Sequence, residues 1–166
     1  MRLRGVHHIG LTVSDIDRAV AFYEKVFGGS AVMSFRLPLK RVQSLLRTER
    51  TDVEGTVTWV LLAGTALELF WFAPAKSGEA LIWNRPGCTH FAIAVTDIQD
   101  WHARMLELGV VCPGAPQQHG DAWFFYLCDP DGNHIELIEV SSSTPKYSSN
   151  SAKGLSTPDS PAAIRP

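Results

Sequence analysis

The stretch that decides the fold occurs twice: residues 8–16 read HIGLTVSDI and residues 90–98 read HFAIAVTDI. In both copies large apolar residues alternate with small or polar ones, which is the period of a β-strand with one buried face. A chain that repeats such a segment is built from related units. The repeat therefore predicts two structural modules that each begin with a strand.

Each copied strand leads directly into an amphipathic helical pattern. We expect Ser14 and Thr96 to be the N-caps of these helices, because their hydroxyls can accept hydrogen bonds from the first free N–H groups. Gly28 and Gly109 follow the two patterns and predict the points at which the helices end. Each module thus begins strand–helix.

The ends of the two halves also match, since residues 64–69 read GTALEL and residues 132–137 read GNHIEL. Each combines a turn signal with a strand, and Asp-Pro-Asp-Gly precedes the second. Further strand-like runs lie between the helix and the last strand of each half: 30–37, 56–63, 110–114 and 122–128. We predict an α+β fold in which two βαβββ modules form a cupped mixed sheet with helices on its outer face.

The domain organisation follows from a change in composition. The modules cover about residues 5–73 and 88–140, and the domain as a whole covers residues 1–140. Residues 141–166 are rich in Ser and Pro and poor in large apolar side chains, so we predict a disordered tail.

The bulk properties exclude several classes of function. The 166-residue chain has a net charge of −2, without the basic excess that a nucleic-acid partner requires. It contains no apolar run of membrane-spanning length and no apolar stretch of a signal peptide at its N-terminus. The three cysteines have no CxxC spacing, which indicates reduced thiols. We therefore expect a cytoplasmic protein that acts on a small molecule, without nucleic-acid or membrane partners.

Strand alternation predicts where the chemistry lies. Apolar residues at every second position must pack under the helices, so the positions between them face the opposite side of the sheet. If a pseudo-twofold axis relates the modules, four such side chains converge on one hollow: His8, Glu68, His90 and Glu136. Carboxylates bracketed by leucine and isoleucine are costly to bury unless they are paired or bind a metal.

The donor set indicates the cofactor. Two imidazoles and two carboxylates suit one divalent metal, namely Ni, Co, Zn, Mn or Fe(II), with positions left for water or substrate. A single strand histidine or glutamate is more often structural, and only the symmetry favours a ligand role for all four. We expect His7 to point away from this face and to be structural.

The quoted segments, with HHIGLTVSDIDRAVAFYEKVFGG and DPDGNHIELIE, resemble the vicinal oxygen chelate superfamily of glyoxalase I, bleomycin resistance proteins and extradiol dioxygenases. The resemblance covers about residues 5–140 and implies paired βαβββ modules, usually in a homodimer. It implies metal binding at His8, Glu68, His90 and Glu136. It further implies a lyase or isomerase that transfers a proton through a metal-bound enediolate, with Glu68 and Glu136 as the candidate base and acid.

Two alternatives remain open. A ring-cleaving Fe(II) extradiol dioxygenase is suggested by the order of His119, Tyr126, Asp-Pro-x-Gly and Glu136. Against it, Gln117 departs from the pattern of that family and Glu68 stands where it has a small residue. The second alternative is a non-catalytic protein that sequesters a hydrophobic small molecule, as bleomycin resistance proteins do.

The sequence says less about the substrate. Phe70, Trp59 and Phe124 can form an aromatic wall on the predicted site face, although ordinary sheet packing explains them about equally well. The segment 36–50 has five cations and is long for a connection, which suits a lid over an anionic group or a solvated helix. We favour the solvated helix.

Overall fold

The computed structural model describes residues 5–74, 83 and 86–140, so the predicted tail at 141–166 lies outside the described residues. Within these ranges three helices occur: α1 (Ile16–Phe27), α2 (Leu39–Leu46) and α3 (Ile98–Glu107). The strands are β1 (His8–Thr12), β2 (Ser30–Arg36), β3 (Glu54–Leu62), β4 (Thr65–Ala73), β5 (His90–Ala94), β6 (Gln117–His119), β7 (Ala122–Cys128) and β8 (His134–Val140).

The two modules have the same topology, with one four-stranded sheet each. The strand orders are β1-β4-β3-β2 and β5-β8-β7-β6. In both sheets the first strand pairs parallel with the last, and all other pairs are antiparallel. The α+β fold of two βαβββ modules is therefore confirmed. The first module also has the helix α2, which confirms a helix in the 36–50 segment.

The hydrophobic core lies on the helix side of both sheets and is shared by the modules. Tyr23 and Val26 of α1 belong to the same buried cluster as Met105 of α3 and Phe125 of β7. The rings of Phe27 and Trp101 lie 6.0 Å apart, so α1 and α3 are in contact. This leaves the other face of each sheet for the site.

A buried polar contact also joins the modules. The Tyr23 hydroxyl on α1 donates a 3.0 Å hydrogen bond to Oδ2 of Asp129 in the β7–β8 turn. The same carboxylate accepts hydrogen bonds from the backbone N–H groups of Asp131 and Asn133 and from the Asn133 amide. These four hydrogen bonds offset the cost of burying the Asp129 carboxylate. The bond from Tyr23 also attaches the β7–β8 turn to α1.

The prediction of a strand at 110–114 was wrong. These residues follow the C-terminus of α3, where Val110 N–H donates to the carbonyl of Met105, and the Val111 carbonyl accepts from Cys128 N–H. The Val110 N–H and the Val111 carbonyl are thus bonded outside a ladder. The edge strand is β6, at Gln117–His119.

The predictions of Ser14 and Thr96 as N-caps were both wrong. The N-cap position lies one residue later in each helix, at Asp15 and Asp97. Asp15, not Ser14, caps α1 by accepting from Arg18 N–H, while the Ser14 hydroxyl contacts Asp131 of the other module. The α3 helix has no cap of its own, because Asp97 is in the left-handed region at φ 59° without a side-chain bond. Glu139 of β8 instead accepts from the first two N–H groups, those of Asp97 and Ile98.

Candidate metal centre

In the first module, His8 and Glu68 form a close pair on the face away from the helices. His8 begins β1 and Glu68 lies in the middle of β4, next to it in the parallel ladder. His8 Nε2 is 3.1 Å from Glu68 Oε2, and the side chains are 37% and 17% exposed. The predicted orientation of both residues follows from strand alternation, and the pair remains accessible from solvent.

The second module repeats this pair at the equivalent positions. His90 begins β5 and Glu136 lies in β8, paired through the same parallel register. His90 Nε2 is 3.2 Å from Glu136 Oε2, with side chains 29% and 14% exposed. We call the sheet faces that carry these pairs the ligand faces.

The pairs have the geometry of neighbouring ligands on one ion. Two donors bound at about 2.1 Å lie roughly 3.0 Å apart in octahedral and roughly 3.4 Å apart in tetrahedral coordination. The observed separations are 3.1 and 3.2 Å, and in both cases an imidazole Nε2 faces a carboxylate oxygen. The residues therefore fit a divalent metal, with each module supplying half of a His₂Glu₂ donor set.

The structure of one chain does not bring all four predicted ligands together. Among residues 5–74, 83 and 86–140, no group of three or more His, Cys, Asp or Glu side chains is close enough to hold an ion. The pairs lie on two separate sheets whose modules meet through α1 and α3. The four side chains therefore do not converge within one chain, as pseudo-twofold symmetry predicted. They form two separate His–Glu pairs, which we call half-sites.

The expectation that His7 points away from the site was wrong. Its Nδ1 is 2.9 Å from Nδ1 of His8, and its ring lies edge-on to Trp59. Alternation does not govern His7, because β1 begins only at His8. In the second module the residue before the histidine behaves in the same way: Thr89 Oγ1 is 3.0 Å from His90 Nδ1.

Each half-site carries an aromatic side chain opposite its glutamate. Trp59 pairs with Glu68 in the β3–β4 ladder, and its ring is 5.0 Å from that of His8. Tyr126 pairs with Glu136 in the β7–β8 ladder, and its ring is 5.4 Å from that of His90. Partial burial and the nearby Glu136 charge raise the pKa of Tyr126, so its phenol stays protonated at neutral pH.

Trp83 is a site residue that the sequence did not reveal. It is 48% exposed, yet its ring lies 5.4 Å from His90, 5.0 Å from Tyr126 and 5.4 Å from His134. No periodicity surrounds this tryptophan in the sequence, so no pattern pointed to it. It covers one side of the second half-site with an aromatic surface.

The ligand face of the first module is largely apolar. Phe70 follows Glu68 on this face, and its ring stacks on Phe72 at 5.8 Å. Met33 pairs with Trp59 and is 51% exposed, which adds an accessible apolar position that sequence reasoning missed. In the second module Phe124 of β7 lies beside Tyr126, with 5.9 Å between the ring centroids.

Other predicted positions lie away from the pairs. His119 is exposed at the end of β6 and pairs with Ala122, four residues before Tyr126 on β7. Four residues of strand span about 13 Å. His119 therefore lies far from Tyr126 and from Glu136, which pairs with Tyr126. In the 36–50 segment, Arg36 and Arg50 form ion pairs with Glu54 and Asp52 on the surface.

Comparison with known proteins agrees with this fold. The profile of the Glyoxalase/Bleomycin resistance protein/Dioxygenase superfamily matches residues 5–137. The chain belongs to this superfamily. Its sequence is 34% identical over 154 residues to 2-epi-5-epi-valiolone epimerase of Actinomyces sp, covering 84% of this chain and 81% of the epimerase. It is 27% identical to metallothiol transferase FosB of Bacillus licheniformis, covering 82% and 75% of the two chains.

Solved structures of the superfamily share the fold. A glyoxalase/bleomycin resistance/dioxygenase domain from Frankia sp. EAN1pec superposes with a TM-score of 0.67 at 19% identity, over 86% of this chain and 96% of that one. The trypanothione-dependent glyoxalase I of Leishmania major superposes with a TM-score of 0.61 at 22% identity, over 82% and 87%. None of the helices in the described ranges has the length and apolarity needed to cross a bilayer.

Proposed function

We propose that this member of the superfamily is a metal-dependent isomerase or lyase that moves a proton between carbons of a small substrate with adjacent oxygens. The observation that carries the proposal is the repeated His–Glu pair, with Nε2–Oε2 separations of 3.1 and 3.2 Å at equivalent positions of two modules. His8, Glu68, His90 and Glu136 would hold the ion. Ni, Co, Zn, Mn and Fe(II) all suit this donor set.

A bound divalent ion would act as a Lewis acid on the two substrate oxygens and make the neighbouring C–H more acidic. The chain supplies the proton acceptor, since Glu68 and Glu136 are carboxylates only 17% and 14% exposed on the ligand faces. Trp59 and Tyr126 lie beside the two histidines and would flank a bound substrate. One glutamate would take the proton, and the other would return a proton to the neighbouring carbon or, in an epimerisation, to the opposite face of the same carbon.

Similarity favours epimerisation within this reaction class. The relative at 34% identity is named an epimerase. Epimerisation by proton transfer removes a proton from a carbon next to an activated group and returns one to the same carbon. The relative at 27% identity is named a metallothiol transferase, which supports metal dependence but a different group transfer. Phe70, Trp59 and Phe124 would contact the apolar part of the substrate.

We further propose that a second copy of the chain completes the centre. Each protomer holds its two pairs on separate sheets, and its modules are joined on the opposite side, through α1 and α3. Both pairs remain partly accessible, so the first half-site of one protomer can meet the second half-site of its partner. A homodimer would then contain two equivalent four-ligand centres.

The test combines metal content with proton exchange. The metal-loaded protein should exchange the C–H proton of α-hydroxy ketones for deuterium in D₂O, followed by NMR. Glu68→Gln and Glu136→Gln keep an oxygen donor but lose the basic carboxylate, so exchange should fall by roughly 10²–10⁴-fold. Glu139→Gln is the matched control, because Glu139 lies in the same strand as Glu136 but caps α3. A purified protein without stoichiometric metal would contradict the proposal.

A dioxygenase is the second candidate, supported by one observation. Tyr126 lies opposite Glu136 and next to His90, where its phenol can reach a substrate on the ligand face. The exposed position of His119 next to Ala122 weakens this candidate. Oxygen uptake with catechols after anaerobic Fe(II) loading, lost in Tyr126→Phe, would favour ring cleavage over proton transfer.

A further inference from the structure

The side chain before each candidate ligand histidine contacts the imidazole nitrogen that faces away from the glutamate. In the first module His7 Nδ1 is 2.9 Å from His8 Nδ1, and in the second Thr89 Oγ1 is 3.0 Å from His90 Nδ1. In both modules the other nitrogen, Nε2, faces the glutamate. The arrangement is thus duplicated together with the metal pairs, although the two residues differ chemically.

The backbone explains why these side chains share a side with the residue that follows them. β1 begins at His8 and β5 begins at His90, so positions 7 and 89 precede the region in which neighbours must alternate. The local backbone geometry therefore allows His7 to contact His8, and Thr89 to contact His90.

With an ion between Nε2 and the glutamate, the contact at Nδ1 would decide which imidazole nitrogen carries the proton. A neutral imidazole has one N–H donor and one nitrogen lone pair, and the hydrogen bond made by one nitrogen sets the state of the other. A hydroxyl oxygen or an unprotonated His nitrogen can accept from Nδ1–H. When Nδ1 donates, Nε2 keeps its lone pair and can bind a metal.

We propose that His7 and Thr89 are positioning residues that hold His8 and His90 in the Nδ1–H form, with Nε2 directed to the ion. This inference rests on the proposed metal centre and adds two residues to it. His7 is further fixed by its edge-on contact with Trp59, at 5.7 Å between ring centroids, which keeps its accepting nitrogen in place. In Thr89 the hydroxyl oxygen alone serves as the acceptor for His90 Nδ1–H.

The test is the affinity of the metal-free full-length protein for zinc, and in parallel for nickel, by competition with a chromophoric chelator. Thr89→Val preserves shape but removes the acceptor, and His7→Phe preserves a ring but removes the nitrogen. Both should weaken metal binding by roughly 10–100-fold. Thr89→Ser restores the hydroxyl and should bind as the wild type does.

The matched control is Thr12→Val, because Thr12 lies on the ligand face of β1 but pairs with Phe70, away from both histidines. Its affinity should not change, and the unfolding midpoint of the metal-free protein should be the same for all variants. Wild-type affinity in Thr89→Val, or an equal loss in Thr89→Ser, overturns the positioning role while leaving the metal centre intact. A wild-type protein that binds neither metal overturns both proposals together.

Discussion

Tyr23 couples the two modules through a buried hydrogen bond. Its side chain is fully buried, and its hydroxyl donates a 3.0 Å hydrogen bond to the buried Asp129 of the other module. Burial, and then the negative charge of Asp129, raise the pKa of Tyr23 above the usual 10.0. The hydroxyl of the folded protein therefore keeps its proton above the pH at which a free tyrosine ionises.

The first prediction is that Tyr23→Phe destabilises the protein at neutral pH. It removes one donor from a buried carboxylate and leaves the ring in place, so the free energy of unfolding should fall by about 1.5–3 kcal/mol. Urea unfolding at pH 7 measures this. The control Phe22→Leu, on the same helix, changes packing without touching Asp129. An unchanged midpoint in Tyr23→Phe would show that the hydrogen bond contributes nothing.

The raised pKa of Tyr23 also predicts a pH dependence. Above about pH 10 the unfolded chain releases the phenolic proton, whereas the folded chain retains it, so stability decreases by about 1.4 kcal/mol per pH unit from this group. Below pH 10 both states hold the proton and the contribution is constant. In Tyr23→Phe this decrease is missing, and its stability curve between pH 10 and 11 should be flatter than that of the wild type. Parallel curves would contradict the assignment.

At the scale of single residues, strand alternation alone predicted the direction of the His–Glu pairs. Leu67 and Leu69 are buried, which turns Glu68 to the ligand face, and the 3.1 Å separation from His8 follows from the parallel register. Alternation failed for His7 because the strand begins one residue later. Trp83 could not be predicted, since its contacts depend on tertiary structure alone.

At the scale of elements, the helix N-termini show where local patterns lose to tertiary contacts. Asp97 has a residue type suited to capping, but its backbone is left-handed and its side chain makes no cap bond. Glu139 of β8 replaces it from a position 41 residues after Ile98. No local signal can reveal such a partner. In the same way, no local signal indicated that the edge strand is β6 and not the apolar run at 110–114.

Glu139→Gln should therefore act on α3 and not on the metal centre. Each oxygen of Glu139 accepts one N–H at the start of α3, and glutamine supplies only one such oxygen and no charge. We expect a loss of about 1 kcal/mol in stability, with faster hydrogen exchange at the first turn of α3. Metal affinity should stay at the wild-type value. A change in metal affinity as large as in Glu136→Gln would show that positions 136 and 139 of β8 are coupled.

At the scale of the whole molecule, the repeat predicted two alike modules but not how they meet. Identical strand orders confirm the duplication, whereas the contact of α1 with α3 is set by side chains of both modules. Pseudo-symmetry within the chain suggested one convergent centre, and the described residues show two half-sites instead. In the proposed homodimer, twofold symmetry brings the first half-site of each protomer to the second half-site of its partner.

A mixing experiment separates a shared centre from one built within a chain. One variant carries His8→Ala and Glu68→Ala, and the other carries His90→Ala and Glu136→Ala. Each variant alone lacks half of every centre and should bind no metal tightly. In a mixed dimer with shared centres, one centre combines both damaged halves and the other combines both intact halves. Co-expression should therefore restore one metal per mixed dimer, together with proton exchange at that centre.

A centre built within one chain gives the opposite result, because each chain of the mixed dimer then carries its own damaged centre. Neither metal binding nor proton exchange would return on mixing. The control places all four substitutions in one chain and pairs it with a wild-type chain: shared centres lose both sites, whereas separate centres keep one. The two pairings thus give reciprocal outcomes, and the metal content of the purified mixed dimers decides between them without knowledge of the substrate.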